Sequence, residues 1–108
     1  AERASAYSTT PYTDVEEMLR VEKPDLVTVC LPNEGHFETT LQLATAGVPL
    51  LVEKPLVFSL EEADALLVAA EESGAFFAIN FNHRYAEPVL RAKRAIDAGE
   101  IGEPICAV

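Results

Sequence analysis

The residues of this chain that could do chemistry stand at the ends of apolar runs. Asn33 and His36 follow DLVTVCL (25–31), and Glu53 and Lys54 follow VPLLV (48–52). Asn80, Asn82, His83 and Arg84 lie at or just after the end of AFFAINF (75–81). Lys54 is the leading catalytic candidate. An ammonium held beside a carbonyl can stabilise developing negative charge or pass a proton. Taken alone, Lys54 reads equally well as a solvated lysine on a turn. Glu53 could pair with a cation, accept a hydrogen bond from a ligand, or simply be solvated. Asn33 could bond a ligand or cap the helix that follows. His36 could line a site or make a local hydrogen bond. For Asn82, His83 and Arg84 the bland reading is turn formation or interface pairing.

Other chemistries fit poorly. His36, His83, Cys30 and Cys106 have no short metal-ligand spacing, so no metal site is expected. No G-x-S-x-G elbow exists for a serine hydrolase. The five glycines form no phosphate-binding loop.

The elements that position these residues alternate. Thr13 with Glu16 reads as a capping box opening a short helix with Val15, Met18 and Leu19 on its apolar stripe. Lys23-Pro24 ends it. The strand 25–31 is followed by a helix over about 35–46, with Phe37, Thr40, Leu41 and Ala44 inward and Gly47 as its stop. The strand 48–52 leads to a helix capped by Ser59 and Glu62, with Ala63, Leu66, Leu67 and Ala70 inward and Ser73-Gly74 at its end. The strand 75–81 leads to a helix with Pro88 in its first turn and Gly99 past its end. ICAV (105–108) begins another apolar run. Strands without clean alternation, joined by helices, predict an α/β fold: a parallel sheet with helices on both sides. In such sheets ligands bind beyond the carboxyl ends of the strands, where the polar residues collect.

Composition agrees and excludes more. The 108 residues are 49% apolar and 24% charged, enough for a mostly aliphatic core. Net charge is −10, and all of it falls in residues 1–75, which hold 4 basic and 14 acidic groups. This argues against partners such as nucleic acid or an anionic membrane surface. The acidic excess is expected on the outer faces of the helices. No apolar run reaches the roughly 18 residues of a membrane span, and no hydrophobic signal core opens the chain. Cys30 and Cys106, in apolar runs, are expected as buried free thiols, which suits a reducing, cytoplasmic setting.

The ordered set PNEGH, EKP, FNHRY and EIGEP resembles the Gfo/Idh/MocA family of NAD(P)-dependent oxidoreductases. That family includes glucose–fructose oxidoreductase, inositol dehydrogenase and dihydrodiol dehydrogenase. The resemblance covers nearly the whole chain and carries several expectations. The fold is a doubly wound parallel sheet of Rossmann type, lacking the first two strands and the glycine fingerprint. AERASAY corresponds to the helix after the second strand. Residues 1–104 are the later portion of the dinucleotide-binding domain, and 105–108 begin a substrate-binding domain. The chain is then an excerpt of a longer protein. Residues 1–108 by themselves are not expected to bind the cofactor tightly, and the edge of strand 25–31 is left open.

The resemblance also implies roles. Lys54 is catalytic and lies near the nicotinamide and the substrate hydroxyl. Pro32, Asn33, His36, Glu53, Lys54 and Arg84 are cofactor-binding. Members of the family have a cis Lys-Pro bond at this place, while the sequence leaves the state of Lys54–Pro55 open. The other catalytic residues belong to the second domain. The cofactor is NAD or NADP, and the residue choosing between them sits at the end of the second strand. The substrate is a sugar, a polyol or a related hydroxyl or carbonyl compound. Assembly into dimers or tetramers runs through the second domain. The alternative is a non-catalytic dinucleotide-binding or structural module, or an inactive truncated fragment.

Overall fold

A computed structural model describes residues 2–106. The first element is the short helix α1 (Glu2–Ala6), as the helical reading of AERASAY requires. Helix α2 (Val15–Glu22) opens one residue later than the expected box. Asp14, not Thr13, is its cap, and its carboxylate accepts from the Glu17 N–H at 2.7 Å. An ionised carboxylate is a stronger acceptor than a threonine hydroxyl, so the cap shifts to Asp14. Lys23 ends the helix in the left-handed region, its N–H bonded to the Leu19 carbonyl. Pro24 cannot extend it.

The sheet has three parallel strands, β1 (Val27–Val29), β2 (Leu50–Val52) and β3 (Phe77–Ile79), in the order β1-β2-β3. All three are shorter than the apolar runs that contain them. Pro49 explains where the first ladder starts, because it accepts from the Val27 N–H (2.9 Å) but has no N–H to give. Val27, Leu50 and Phe77 stand side by side, then Thr28, Leu51 and Ala78, then Val29, Val52 and Ile79.

A 3-10 turn (Asn33–Gly35) and helix α3 (His36–Thr45) join β1 to β2. Helix α4 (Leu60–Ser73) joins β2 to β3 and packs against α3. Ser59 caps α4 as expected, its hydroxyl accepting from the Glu62 N–H at 3.1 Å. The Glu62 carboxylate reaches back to the Phe58 N–H (3.3 Å) rather than to Ser59. Gly74 supplies the left-handed residue (φ 64°) that stops the helix. A second 3-10 turn (Asn82–Tyr85) leads to α5 (Glu87–Asp97), with Pro88 in its first turn.

The inward faces differ from the sequence reading. On α3 the buried residues are His36, Thr40, Leu43 and Ala44, while Phe37 and Leu41 are half-buried on the flank toward Leu19 of α2. On α4 they are Leu66 and Ala69, with Ala63 and Ala70 half-buried and Leu67 exposed. One residue is about 100° of helix turn, so a one-residue error in phase moves a side chain from core to solvent. The core itself is Val29, Leu43, Ala44, Leu50, Val52 and Ala69, with Val15, Met18 and Leu19 of α2 packed against it.

Helices do not cover both faces of the sheet among the described residues. Strands that advance in one direction through right-handed crossovers place every connecting helix on one face. Val29, Leu50 and Val52 point to that face and are buried. The opposite face carries Leu26, Thr28, Cys30 and Phe76, all exposed. None of the side chains of α5 is buried. The same geometry corrects the expectation for the thiols. Cys30 and Cys106 are both free, as expected, but exposed, Cys30 because it lies one residue past β1 on the uncovered face. The acidic residues Glu16, Glu17, Glu38, Glu61, Asp64, Glu71 and Glu72 are exposed on the helices, as expected. Residues 105 and 106 form no strand, and 107–108 lie outside the described residues. No described helix is long and apolar enough to cross a membrane.

Candidate functional site

The three strands run parallel and in register, so their carboxyl ends form one edge. With about 4.8 Å between neighbours, that edge spans roughly 10 Å from β1 to β3. Each strand delivers polar residues there. β1 leads through Leu31 to Pro32, whose backbone is extended (φ −55°, ψ 145°), and to Asn33 at the start of the 3-10 turn. Both residues are exposed. β2 leads to half-buried Glu53 and exposed Lys54. The Lys54–Pro55 bond is cis. β3 leads to half-buried Asn80 and then to exposed Asn82, His83 and Arg84 in the second 3-10 turn.

The ladder continues one rung beyond the strands. The Glu53 N–H donates to the Val29 carbonyl (3.0 Å), and the Asn80 N–H donates to the Val52 carbonyl (2.8 Å). Across this rung the Asn80 Nδ2 donates to Glu53 Oε1 at 2.6 Å. A carboxylate only accepts, so the amide must turn its nitrogen toward it. Glu53 therefore pairs with a neutral amide, not with a cation. Among the described residues no carboxylate pairs with Lys54 or Arg84; the ion pairs are Arg20–Glu17, Lys93–Asp97 and Arg94–Glu87, all on exposed helix surfaces. Two unpaired cations and one tethered carboxylate thus share the rim.

His36 stands apart. It is 1% exposed at the start of α3, and its Nε2–H donates to the Leu31 carbonyl at 2.8 Å. The PNEGH segment thereby ties the first turn of α3 back to the end of β1. The structure shows the local hydrogen bond and no open surface on His36. Its Nδ1 and the Oγ1 of Thr40, one helical turn on, are buried without partners among the described residues. Asn33 makes no capping hydrogen bond to the turn it begins, where Pro32 occupies the cap position. Asn80 is the rim residue to which the sequence assigns no role of its own. Its signal was present: a polar amide ends an apolar run at the level where Glu53 ends the neighbouring one.

No three His, Cys, Asp or Glu residues cluster as a metal site among the described residues. The rim instead offers cationic donors (Lys54, Arg84), a carboxylate acceptor (Glu53) and amides that both donate and accept (Asn33, Asn82), suited to a polar organic ligand with both charges and hydroxyls. The 108 residues hold no glycine-rich loop.

Comparison with known proteins shows the family. The chain is 40% identical to a 1,5-anhydro-D-fructose reductase from Ensifer adhaerens over 112 residues, covering 99% of this chain and 34% of that protein. It is 38% identical to a scyllo-inositol 2-dehydrogenase (NAD(+)) from Bacillus subtilis over 92 residues, covering 85% and 27%. A crystal structure of an NAD binding oxidoreductase from Klebsiella pneumoniae superposes with a TM-score of 0.83 at 31% identity, over 97% of this chain and 28% of that one. The chain thus spans about a third or less of these relatives. Residues 1–81 match the family described as "Oxidoreductase family, NAD-binding Rossmann fold". With the parallel sheet and its polar carboxyl-end rim, this match makes the chain a member of the Gfo/Idh/MocA oxidoreductase family, carrying part of its Rossmann-like domain.

Proposed function

We propose that the protein carrying this chain is an NAD(P)-dependent oxidoreductase acting on a sugar, a cyclic polyol or a related hydroxyl or carbonyl compound. Residues through 104 belong to its dinucleotide-binding domain. The observation that carries the reading is the placement of Lys54. It stands exposed and, among the described residues, without a carboxylate partner, just past the middle strand of the three and flanked by the polar ends of both neighbours.

When bound, the dinucleotide supplies or accepts the hydride. The chain supplies the setting. The Lys54 ammonium stands ready to hydrogen-bond the substrate oxygen, to stabilise its negative charge and to exchange its proton. Glu53 offers an acceptor to the cofactor, and Arg84 a cationic donor from the β3 side. Pro32 and Asn33 border the crevice from β1. His36 supports that border from beneath by holding the Leu31 carbonyl. The relatives named for a reductase of an anhydro sugar and for an inositol dehydrogenase support the substrate class.

The test is Lys54→Met in the whole protein, assayed by dinucleotide reduction with a panel of inositols and sugars. Loss of a positioned acid–base group lowers kcat by about 10²–10⁴-fold, a larger loss than any rise in the KM for the dinucleotide. Undiminished turnover in the variant would refute the role of Lys54. Dinucleotide binding without turnover on any member of the panel would favour a non-catalytic binding module.

A further inference from the structure

Asn80 lies on the last rung of the ladder, and its side chain does something the fold does not require. The backbone bonds Glu53 N–H to Val29 and Asn80 N–H to Val52 already tie the three strands together. The side-chain bond of 2.6 Å is additional. It joins two half-buried groups on the edge where the proposed cofactor sits. Strand alternation sets Glu53 and Asn80 on the same side as Leu51 and Ala78, away from α3 and α4. Their bond therefore contributes little to the core packing between sheet and helices.

We propose that Asn80 is a positioning residue that fixes the Glu53 carboxylate, so that its second oxygen is presented to an O–H or N–H donor of the bound dinucleotide. This rests on the dinucleotide-binding reading above. A free glutamate carboxylate samples many rotamers, and fixing it at the moment of binding weakens affinity. The Asn80 amide removes that freedom beforehand. It engages Oε1, and among the described residues no group donates to Oε2. A neutral tether also leaves the carboxylate its full negative charge, which a lysine or arginine partner would offset. The adjacent Lys54 then meets substrate while Glu53 meets cofactor, so the two neighbouring residues divide the site.

The experiment measures NADH and NADPH affinity by fluorescence titration in the whole protein for wild type, Asn80→Ala, Asn80→Asp, Glu53→Ala and the Asn80→Ala/Glu53→Ala pair. Asn80→Ala is expected to weaken dinucleotide binding about five- to tenfold, with KM for the dinucleotide rising more than kcat falls. Asn80→Asp keeps the shape, faces one carboxylate with another, and is expected to weaken binding further. It also serves should Asn80→Ala fail to fold. The double variant is expected to bind no worse than Glu53→Ala, because Asn80 acts only through Glu53. Wild-type affinity in Asn80→Ala or Asn80→Asp overturns the inference and leaves the proposed function standing. So do losses that simply multiply in the double variant. A wild-type protein that binds neither NADH nor NADPH overturns both.

Discussion

Leu66 and Leu67 are adjacent on α4, chemically identical and differently placed. Leu66 is 1% exposed, and Leu67 is 57% exposed. Periodicity alone assigned both to the core. Truncating Leu66 to alanine removes a fully buried isobutyl group from a helix packed against α3. Transfer and cavity together make this cost about 3 kcal/mol. Leu67 already has more than half of its surface in water, so Leu67→Ala forfeits below about 1 kcal/mol, part of it offset by alanine's better helix propensity. With a urea dependence of about 1.5 kcal/mol/M, the midpoints would fall by about 2 M and under about 0.7 M respectively. Pulsed hydrogen exchange on peptides from 60–73 and 77–79, across a urea series, reads this domain within the whole protein. Equal midpoint shifts for the two variants would show that α4 is rotated relative to the arrangement here, and the burial argument would fail with it.

Ser59→Ala removes the hydroxyl that accepts from the Glu62 N–H and is expected to destabilise α4 by about 1 kcal/mol. The same exchange measurement reads it, and protection lost evenly across the chain rather than first at residues 60–63 would contradict a capping role. Tyr12 donates its hydroxyl to Glu22, and this hydrogen bond, followed by desolvation, raises its pKa above 10.0. The bond needs the phenol proton, so its support is complete below about pH 10 and disappears as pH rises through the folded-state value. Ultraviolet titration of the phenolate should show the Tyr12 midpoint moving back toward 10 in Glu22→Gln, and an unmoved midpoint would rule out Glu22 as the cause.

Much of the fold was legible because it is local. Capping side chains, prolines and left-handed glycines act within four residues, so α4 begins after Ser59 and stops at Gly74 as read. The alternation of apolar runs with amphipathic stretches admits little besides a parallel α/β sheet. The misses are those of competing local signals and of phase. Asp14 outbid Thr13 because two neighbouring caps were available and the ionised one is stronger. The α3 stripe includes His36 because its ring bonds a carbonyl just upstream, which apolar periodicity does not register.

The candidate site divides the same way. The sequence by itself determined which residues reach the rim, since Glu53, Lys54 and Arg84 follow directly from where apolar runs end, and the ordered motifs determined the family. Only the tertiary structure decided their partners. Register set Asn80 beside Glu53, and packing left Lys54 and Arg84 without carboxylate partners among the described residues and buried the His36 ring at the start of α3. It also decided that the connecting helices cover one face of the sheet and leave Cys30 exposed on the other. The physical reason is that capping and turn formation are settled within a few residues of chain. Pairing across strands and the choice of face depend on how segments more than twenty residues apart come together.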